Sequence, residues 1–123
     1  MDLNEYQNLA KRTRALYQEG PDAVAPSAGD KAITIMALGL TGESGELADH
    51  VKKYIGHGHP FDRDYVAKEL GDILWYVANL ADVLGIPLDD IGTANIEKLI
   101  ARYPDGFSTA DSLERRDTAH PLT

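Results

Sequence analysis

The chain has 123 residues, no cysteine, and 20 acidic side chains against 12 lysines and arginines, which gives a formal net charge of −8. One compact domain is expected at this length, the acidity argues against a nucleic-acid-binding surface, and the lack of cysteine excludes disulfides and thiolate metal sites. Because the sequence shows neither a signal peptide nor an apolar run near the ~20 residues that cross a membrane, we predict a cytoplasmic protein without membrane contacts.

Apolar residues recur at spacings of three and four throughout the chain, which predicts an all-α fold. A first helix is predicted over residues 2–19, followed by a loop over residues 20–29. The second helix is predicted over residues 30–55. Asp30 is its expected N-cap, and Gly56 is expected to end it.

Two further helices are predicted over residues 63–84 and 88–103, each ended by glycine and proline residues. The sequence beyond is polar and weakly periodic, so we predict a C-terminal tail over residues 104–123 with a short helix near residues 111–116. The prediction is an antiparallel bundle of about four helices, with a catalytic domain over residues 1–103.

Two acidic pairs with the same spacing lie on consecutive predicted helices. The second helix carries Glu43 and Glu46, and the third carries Glu69 and Asp72. At about 100° per residue both pairs border the apolar stripe of their helix, whereas Asp49 projects to the opposite face and is assigned to solvent. Because antiparallel helices joined by a short loop bring such repeats together, we expect the four carboxylates to meet at one packing seam.

Four carboxylates at one seam repel one another and lose hydration unless a cation neutralises them or their pKa values rise. A divalent metal resolves this conflict. An all-oxygen ligand set favours Mg²⁺, with Mn²⁺ as the alternative, over zinc or a di-iron centre. Magnesium held by few carboxylates keeps positions open for phosphate oxygens, so a phosphorylated metabolite is the expected substrate.

The acidic pairs and their spacing resemble the E-x-x-E...E-x-x-D signature of the MazG-like all-α nucleoside triphosphate pyrophosphohydrolases. The resemblance extends from about residue 37 to residue 107 and includes the N-x-x-K pattern of the fourth helix. It implies an enzyme that cuts an NTP or dNTP between the α- and β-phosphates, releasing nucleoside monophosphate and pyrophosphate. It also implies a homodimer or homotetramer. The implied metal ligands are Glu43, Glu46, Glu69 and Asp72.

One position departs from this family pattern. Several relatives have an additional glutamate directly before the first motif glutamate, where it can act as general base, whereas this chain has Gly42. The general base can therefore be a metal-bound hydroxide or the carboxylate of Glu43 or Glu46.

A triphosphate needs cationic partners besides the metal, and the fourth helix carries a polar stripe of Asn95, Lys98 and Arg102. Spacing alone fits an ordinary solvated face equally well, and the family pattern favours phosphate binding. Near the end of the second helix, Lys53 lies on the side of Glu46 and is the further phosphate candidate.

Side chains next to the acidic pairs are candidates for contacts to the base or to the metal ligands. Trp75 and Tyr76 can stack on a base, with core or interface packing as the alternative. Asn79 lies two turns after Asp72 and can read a base, and His50 can support the metal ligands or pack at an interface.

The sequence leaves three other functions open. Two are enzymatic, a dimeric dUTPase-like activity and a phosphoribosyl-ATP pyrophosphohydrolase activity, which share the same carboxylate chemistry. The third is a non-catalytic helical module that binds a nucleotide or a partner subunit. By analogy with the family, the expected role is housekeeping of the nucleotide pool.

Overall fold

A computed structural model describes residues 1–118 of the chain, with the exception of the Arg116 side chain. This part of the chain is helical and contains no β-strand, which confirms the all-α prediction. The helices are α1 (Leu3–Ala10), α2 (Ala28–His57), α3 (Arg63–Val83), α4 (Leu88–Arg102) and α5 (Thr109–Glu114), with 3-10 turns at Lys11–Thr13 and Arg116–Thr118. Within residues 1–118, no helix combines the length and the apolarity that a membrane crossing requires.

The chain divides into two compact units, of which the first spans Met1–Pro87 and the second begins at Leu88. The predicted boundary between a catalytic domain ending at residue 103 and a tail stays a prediction. The last part of that predicted tail, residues 119–123, lies outside the described residues.

The first predicted helix is wrong in length, because α1 ends at Ala10 and a 3-10 turn follows it. Asp2 and Glu5 form a capping box at its start, with both hydrogen bonds at 2.8 Å. At its end Thr13 Oγ1 donates to the Ala10 carbonyl at 3.1 Å, and Arg14 leaves the helix in an extended conformation. In this extended conformation, the Arg14 guanidinium lies 2.8 Å from the Asp82 carboxylate of α3. The chain therefore forms a tertiary ion pair at the point where the predicted helix would have continued.

Helices α2 and α3 form the predicted antiparallel pair, with small corrections at the ends of α2. Ser27, and not Asp30, is the N-cap, and its hydroxyl accepts from the Asp30 amide at 3.0 Å. The helix passes through Gly56 and ends before Gly58, which adopts the left-handed conformation with a φ of 71°. Asp62 caps α3 by accepting from the Tyr65 amide at 3.0 Å.

Among apolar side chains, the helices of the first unit bury mostly alanines and one methionine where they pack together. Ala32 and Met36 of α2 are buried, as are Ala78 and Ala81 of α3 and Ala10 of α1. Close packing of this kind leaves little room for adjustment between the helices.

The second unit is stabilised by an ion pair within it. The Arg102 guanidinium at the end of α4 donates two hydrogen bonds to the Asp117 carboxylate, which is almost fully buried. This bidentate pair holds the pKa of Asp117 below its usual range. The 3-10 turn at Arg116–Thr118 is thereby anchored to α4.

Candidate functional site

Three of the four predicted metal ligands meet between α2 and α3. One carboxylate oxygen from each of Glu43, Glu69 and Asp72 lies within 4.8 Å of the others. Glu46 is exposed and close enough for its charge to act on Glu43. The antiparallel pairing of the two helices produces this arrangement, because the facing sides of both helices carry the acids. The assignment of all four as metal ligands stays a prediction.

Glu69 provides the structural test of whether a cation fits this cluster. The residue is 7% exposed, and its Oε2 atom is the buried side-chain atom without a hydrogen-bond partner within residues 1–118. An unpaired buried carboxylate oxygen destabilises a fold unless a cation compensates it. The carboxylate set is the kind that a hard divalent ion binds. The residues present therefore fit a divalent cation.

The electrostatics of Glu43 support the same conclusion. Burial raises the pKa of the Glu43 carboxyl, and a hydrogen bond with Glu69 raises it further. The negative charges of Glu46 and Asp72 add to the effect on this pKa. Without a cation, ionisation of the Glu43 carboxyl therefore opposes folding.

This raised pKa leads to a stability prediction. Without divalent cations, we expect the free energy of unfolding to fall as the pH rises through the raised pKa of Glu43, because folding favours the protonated carboxyl. Glu43→Gln, which cannot ionise, should lose this part of the pH dependence. Urea denaturation in chelator from about pH 4 to pH 8 measures the effect. Asp64→Asn, at an exposed acid of α3, is the matched control, and equal pH slopes for Glu43→Gln and wild type would contradict the prediction.

The carboxylates open into a cavity with aromatic walls. A space of about 310 Å³ is lined by Glu43, Asp72, Trp75 and Tyr76. The Trp75 and Tyr76 rings meet edge to face, with centroids 4.9 Å apart and planes at 84°. The Trp75 indole donates from Nε1 to Thr13 Oγ1 at 2.9 Å, which fixes the ring from the side of α1. This cavity places acidic groups and aromatic surface next to each other.

Asn79, predicted to read a base, and His50, predicted to support the metal ligands or to pack at an interface, make hydrogen bonds within the protein. Asn79 is 1% exposed, and its side chain accepts from Arg14 at 3.1 Å and donates to the Trp75 carbonyl at 3.0 Å. His50 Nε2 accepts from the Asp62 amide at 3.1 Å, and its ring packs on Phe61. Both side chains thus stabilise the first unit.

Lys53 forms an ion pair with Asp49, the acid predicted to face solvent. Its Nζ lies 2.8 Å from Asp49, and the Nζ of Lys52 lies 2.9 Å from the other oxygen of the same carboxylate. Hydrogen bonds from Lys53 and then Lys52 lower the pKa of Asp49 to about 2. A phosphate that binds Lys53 therefore competes with Asp49.

The three predicted phosphate ligands of α4 belong to the second unit. Asn95 and Lys98 are exposed, whereas Arg102 is occupied by Asp117 and also lies over the ring of Tyr103. Their role in phosphate binding stays a prediction.

Two tyrosines interact with the carboxylates and were not predicted from the sequence. Burial and the charge of Asp72 raise the pKa of Tyr6, and burial followed by the charges of Glu69 and Glu46 raises that of Tyr65. Tyr65 precedes Glu69 by four residues, so helical spacing could have indicated it. Tyr6 reaches the site through the packing of α1 on α3, which has no local signal in the sequence.

The fold and the site define an all-helical domain with a carboxylate cluster suited to a divalent cation. The family described as the MazG nucleotide pyrophosphohydrolase domain matches residues 31–107. This match covers more than half of the chain, and the chain belongs to this family. The resemblance seen in the sequence is thus confirmed.

The chain is also similar to a phage protein and to a bacterial protein. Gene 37 protein of Mycobacterium phage L5 is 38% identical over 92 residues, which cover 68% of this chain and 81% of the phage protein. The uncharacterized protein YvdC of Bacillus subtilis (strain 168) is 36% identical over 73 residues, which cover 52% of this chain and 69% of that protein. No solved structure matches the chain significantly.

Proposed function

We propose that the protein is a Mg²⁺-dependent nucleoside triphosphate pyrophosphohydrolase that converts an NTP or dNTP to nucleoside monophosphate and pyrophosphate. The observation that carries this proposal is the cluster of Glu43, Glu69 and Asp72, with its unpaired buried oxygen, beside an aromatic cavity. Membership of the MazG family supplies the class of reaction. Housekeeping of the nucleotide pool is the role that we propose with it.

The residues that would hold the cation are the three clustered carboxylates together with Glu46. A bound Mg²⁺, or Mn²⁺ in its place, supplies neutralisation of phosphate charge and acidification of water. Oxygen ligands at a partly exposed cluster leave access for a polyphosphate. Glu69 is the most buried of the four, so we propose that it fixes the geometry of the set.

The proposed reaction is an in-line displacement at the α-phosphorus. A water oxygen forms the new bond to phosphorus, the bond from the α-phosphorus to the bridging oxygen breaks, and pyrophosphate leaves. The proton of the water passes to a carboxylate oxygen of Glu43 or Glu46, because Gly42 removes the base that several relatives place there. Glu43 lines the cavity and is the better placed of the two.

Further groups of this chain are proposed to bind the substrate. Lys53 can exchange Asp49 for a phosphate oxygen, since both are acceptors of similar charge. For Asn95, Lys98 and Arg102, phosphate binding is proposed on the family pattern alone.

The oligomer that we propose is a homodimer or homotetramer. Large apolar side chains of α2 and α3 are strongly exposed within the first unit, among them Leu38 at 67%, Ile55 at 76% and Leu70 at 53%. Exposure on this scale is typical of a surface that another chain covers. Light scattering of the purified protein measures the state, and a monomer at micromolar concentration would contradict this part of the proposal.

A substrate panel tests the proposed activity. The purified chain is incubated with Mg²⁺ and each of the common NTPs and dNTPs, with dUTP and phosphoribosyl-ATP included, and the products are identified. We expect nucleoside monophosphate and pyrophosphate from at least one NTP or dNTP, and none in chelator. Turnover confined to dUTP or to phosphoribosyl-ATP would support the corresponding alternative enzyme. No turnover at high protein concentration would support a non-catalytic binding module.

A further inference from the structure

Gly39 is the glycine of α2 that is pressed against a side chain of the site. A Cβ atom built there would lie 2.1 Å from Cε1 of Tyr76 and 2.4 Å from Cζ. Contacts this short cannot form between packed atoms. In contrast, a Cβ at Gly56 of the same helix would meet nothing within 4 Å. Because glycine weakens a helix interior, its presence at position 39 calls for a packing reason, and the Tyr76 ring provides one.

The position of that ring matters for the cavity. Tyr76 lies four residues after Asp72, and Gly39 lies four residues before Glu43, so the ring and the glycine meet one helical turn from the carboxylates. Trp75, the other aromatic wall, is held by its hydrogen bond to Thr13. Each ring is therefore fixed by a residue that does not itself line the cavity.

We propose that Gly39 is a positioning residue for the nucleoside of the substrate. Its missing side chain lets the Tyr76 ring lie against α2, where the ring walls the cavity and stacks on the base or sugar while the carboxylates serve the phosphates. This inference rests on the proposed function, since it assigns the nucleoside end of the same substrate. A methyl group at position 39 displaces the ring and weakens nucleoside binding without touching the carboxylates.

The test is a double-mutant cycle on the full chain with Gly39→Ala, Tyr76→Ala and the double variant, with Gly56→Ala as the matched control. We expect Gly39→Ala to raise KM for the nucleotide by about tenfold, the scale of one lost aromatic stacking contact. Inhibition by inorganic pyrophosphate, which has no nucleoside, should change less than about twofold. Gly56→Ala should leave both values unchanged. In the Tyr76→Ala background, adding Gly39→Ala should have no further effect on KM.

Two results would overturn the proposal. One is that Gly39→Ala raises KM as much in the Tyr76→Ala background as in the wild type, which would show that the glycine acts through something other than the ring. The other is that Gly39→Ala weakens inhibition by pyrophosphate by the same factor as it raises KM for the nucleotide, which would indicate general damage to the site. If Gly39→Ala alone does not fold, comparing Tyr76→Ala with the double variant decides the matter, because the added methyl then has room. Equal KM values support the proposal, and a further rise overturns it.

A binding measurement separates this inference from the proposed activity. Trp75 is the one tryptophan of the chain and lies against Tyr76, so its fluorescence reports occupancy of the cavity. An NTP analogue that cannot be hydrolysed serves as the probe. If the wild type hydrolyses no nucleotide but binds the analogue more tightly than Gly39→Ala does, the inference is supported although the proposed activity fails. If the wild type is active and Gly39→Ala binds the analogue as tightly as the wild type does, the inference alone is overturned.

Discussion

Asp72→Asn is expected to lower kcat/KM for nucleotide hydrolysis by at least about 100-fold, equivalent to roughly 2.7 kcal/mol of transition-state stabilisation. The reason is that the substitution removes a negative oxygen from the cluster with Glu43 and Glu69 while keeping the shape of the side chain. Because it also removes repulsion, the variant without metal should be at least as stable as the wild type. Steady-state kinetics and circular dichroism with thermal melting measure the two effects.

Asp64→Asn is the control for this prediction, because Asp64 is an exposed acid of the same helix. It removes the same charge from α3 and should keep activity within about twofold. Glu69→Gln should behave like Asp72→Asn, since it neutralises the buried carboxylate. A wild-type rate in both Asp72→Asn and Glu69→Gln would refute the assignment of the cluster.

Excess Mg²⁺ or Mn²⁺ is expected to raise the melting temperature of the wild type by about 10 °C, and that of Glu46→Gln much less. A ligand at about 100 times its Kd stabilises the native state by ~2.7 kcal/mol, which corresponds to a shift of this size in a small domain. We expect this effect because a cation bound at the folded cluster would give the unpaired oxygen of Glu69 a partner.

Differential scanning fluorimetry with and without chelator measures this shift. Ca²⁺ and K⁺ provide comparisons of ion size and charge, and Asp64→Asn should respond like the wild type. An equal shift for wild type and Glu46→Gln would mean that Glu46 is not a ligand. No shift in the wild type at any concentration of divalent ion would leave the acidic cluster without its proposed cation.

The helical pattern of the sequence was sufficient to predict the fold class and the two longest helices. The periodicity of α2 and α3 is strong, and the Asp62 cap is a local signal, so both helices were placed within about two residues. The first helix was predicted too long because its end depends on the contact of Arg14 with Asp82, far away in sequence. Local propensity carries no information on such a contact.

The site was predictable where helical spacing determines it and not where tertiary packing does. The meeting of Glu43 with Glu69 and Asp72 was expected from their matching positions on two antiparallel helices. The pairing of Arg102 with Asp117 and the approach of Tyr6 to Asp72 depend on segments whose placement follows no local pattern. Gly39 was not recognised either, because a glycine within a helix shows its purpose only when the opposing side chain is known.

The hydrogen bond from Trp75 to Thr13 has a consequence for how far this domain can be reduced. The family match begins at residue 31. Thr13 and Arg14, whose side chains contact Trp75 and Asp82 of α3, precede that point. A chain cut back to the matched segment would retain every acid of the cluster while one aromatic ring lost its anchor. The matched segment is therefore shorter than the part of the chain that positions the cavity walls, and grafting that segment onto another scaffold would transfer the acidic cluster without the hydrogen bond that holds Trp75.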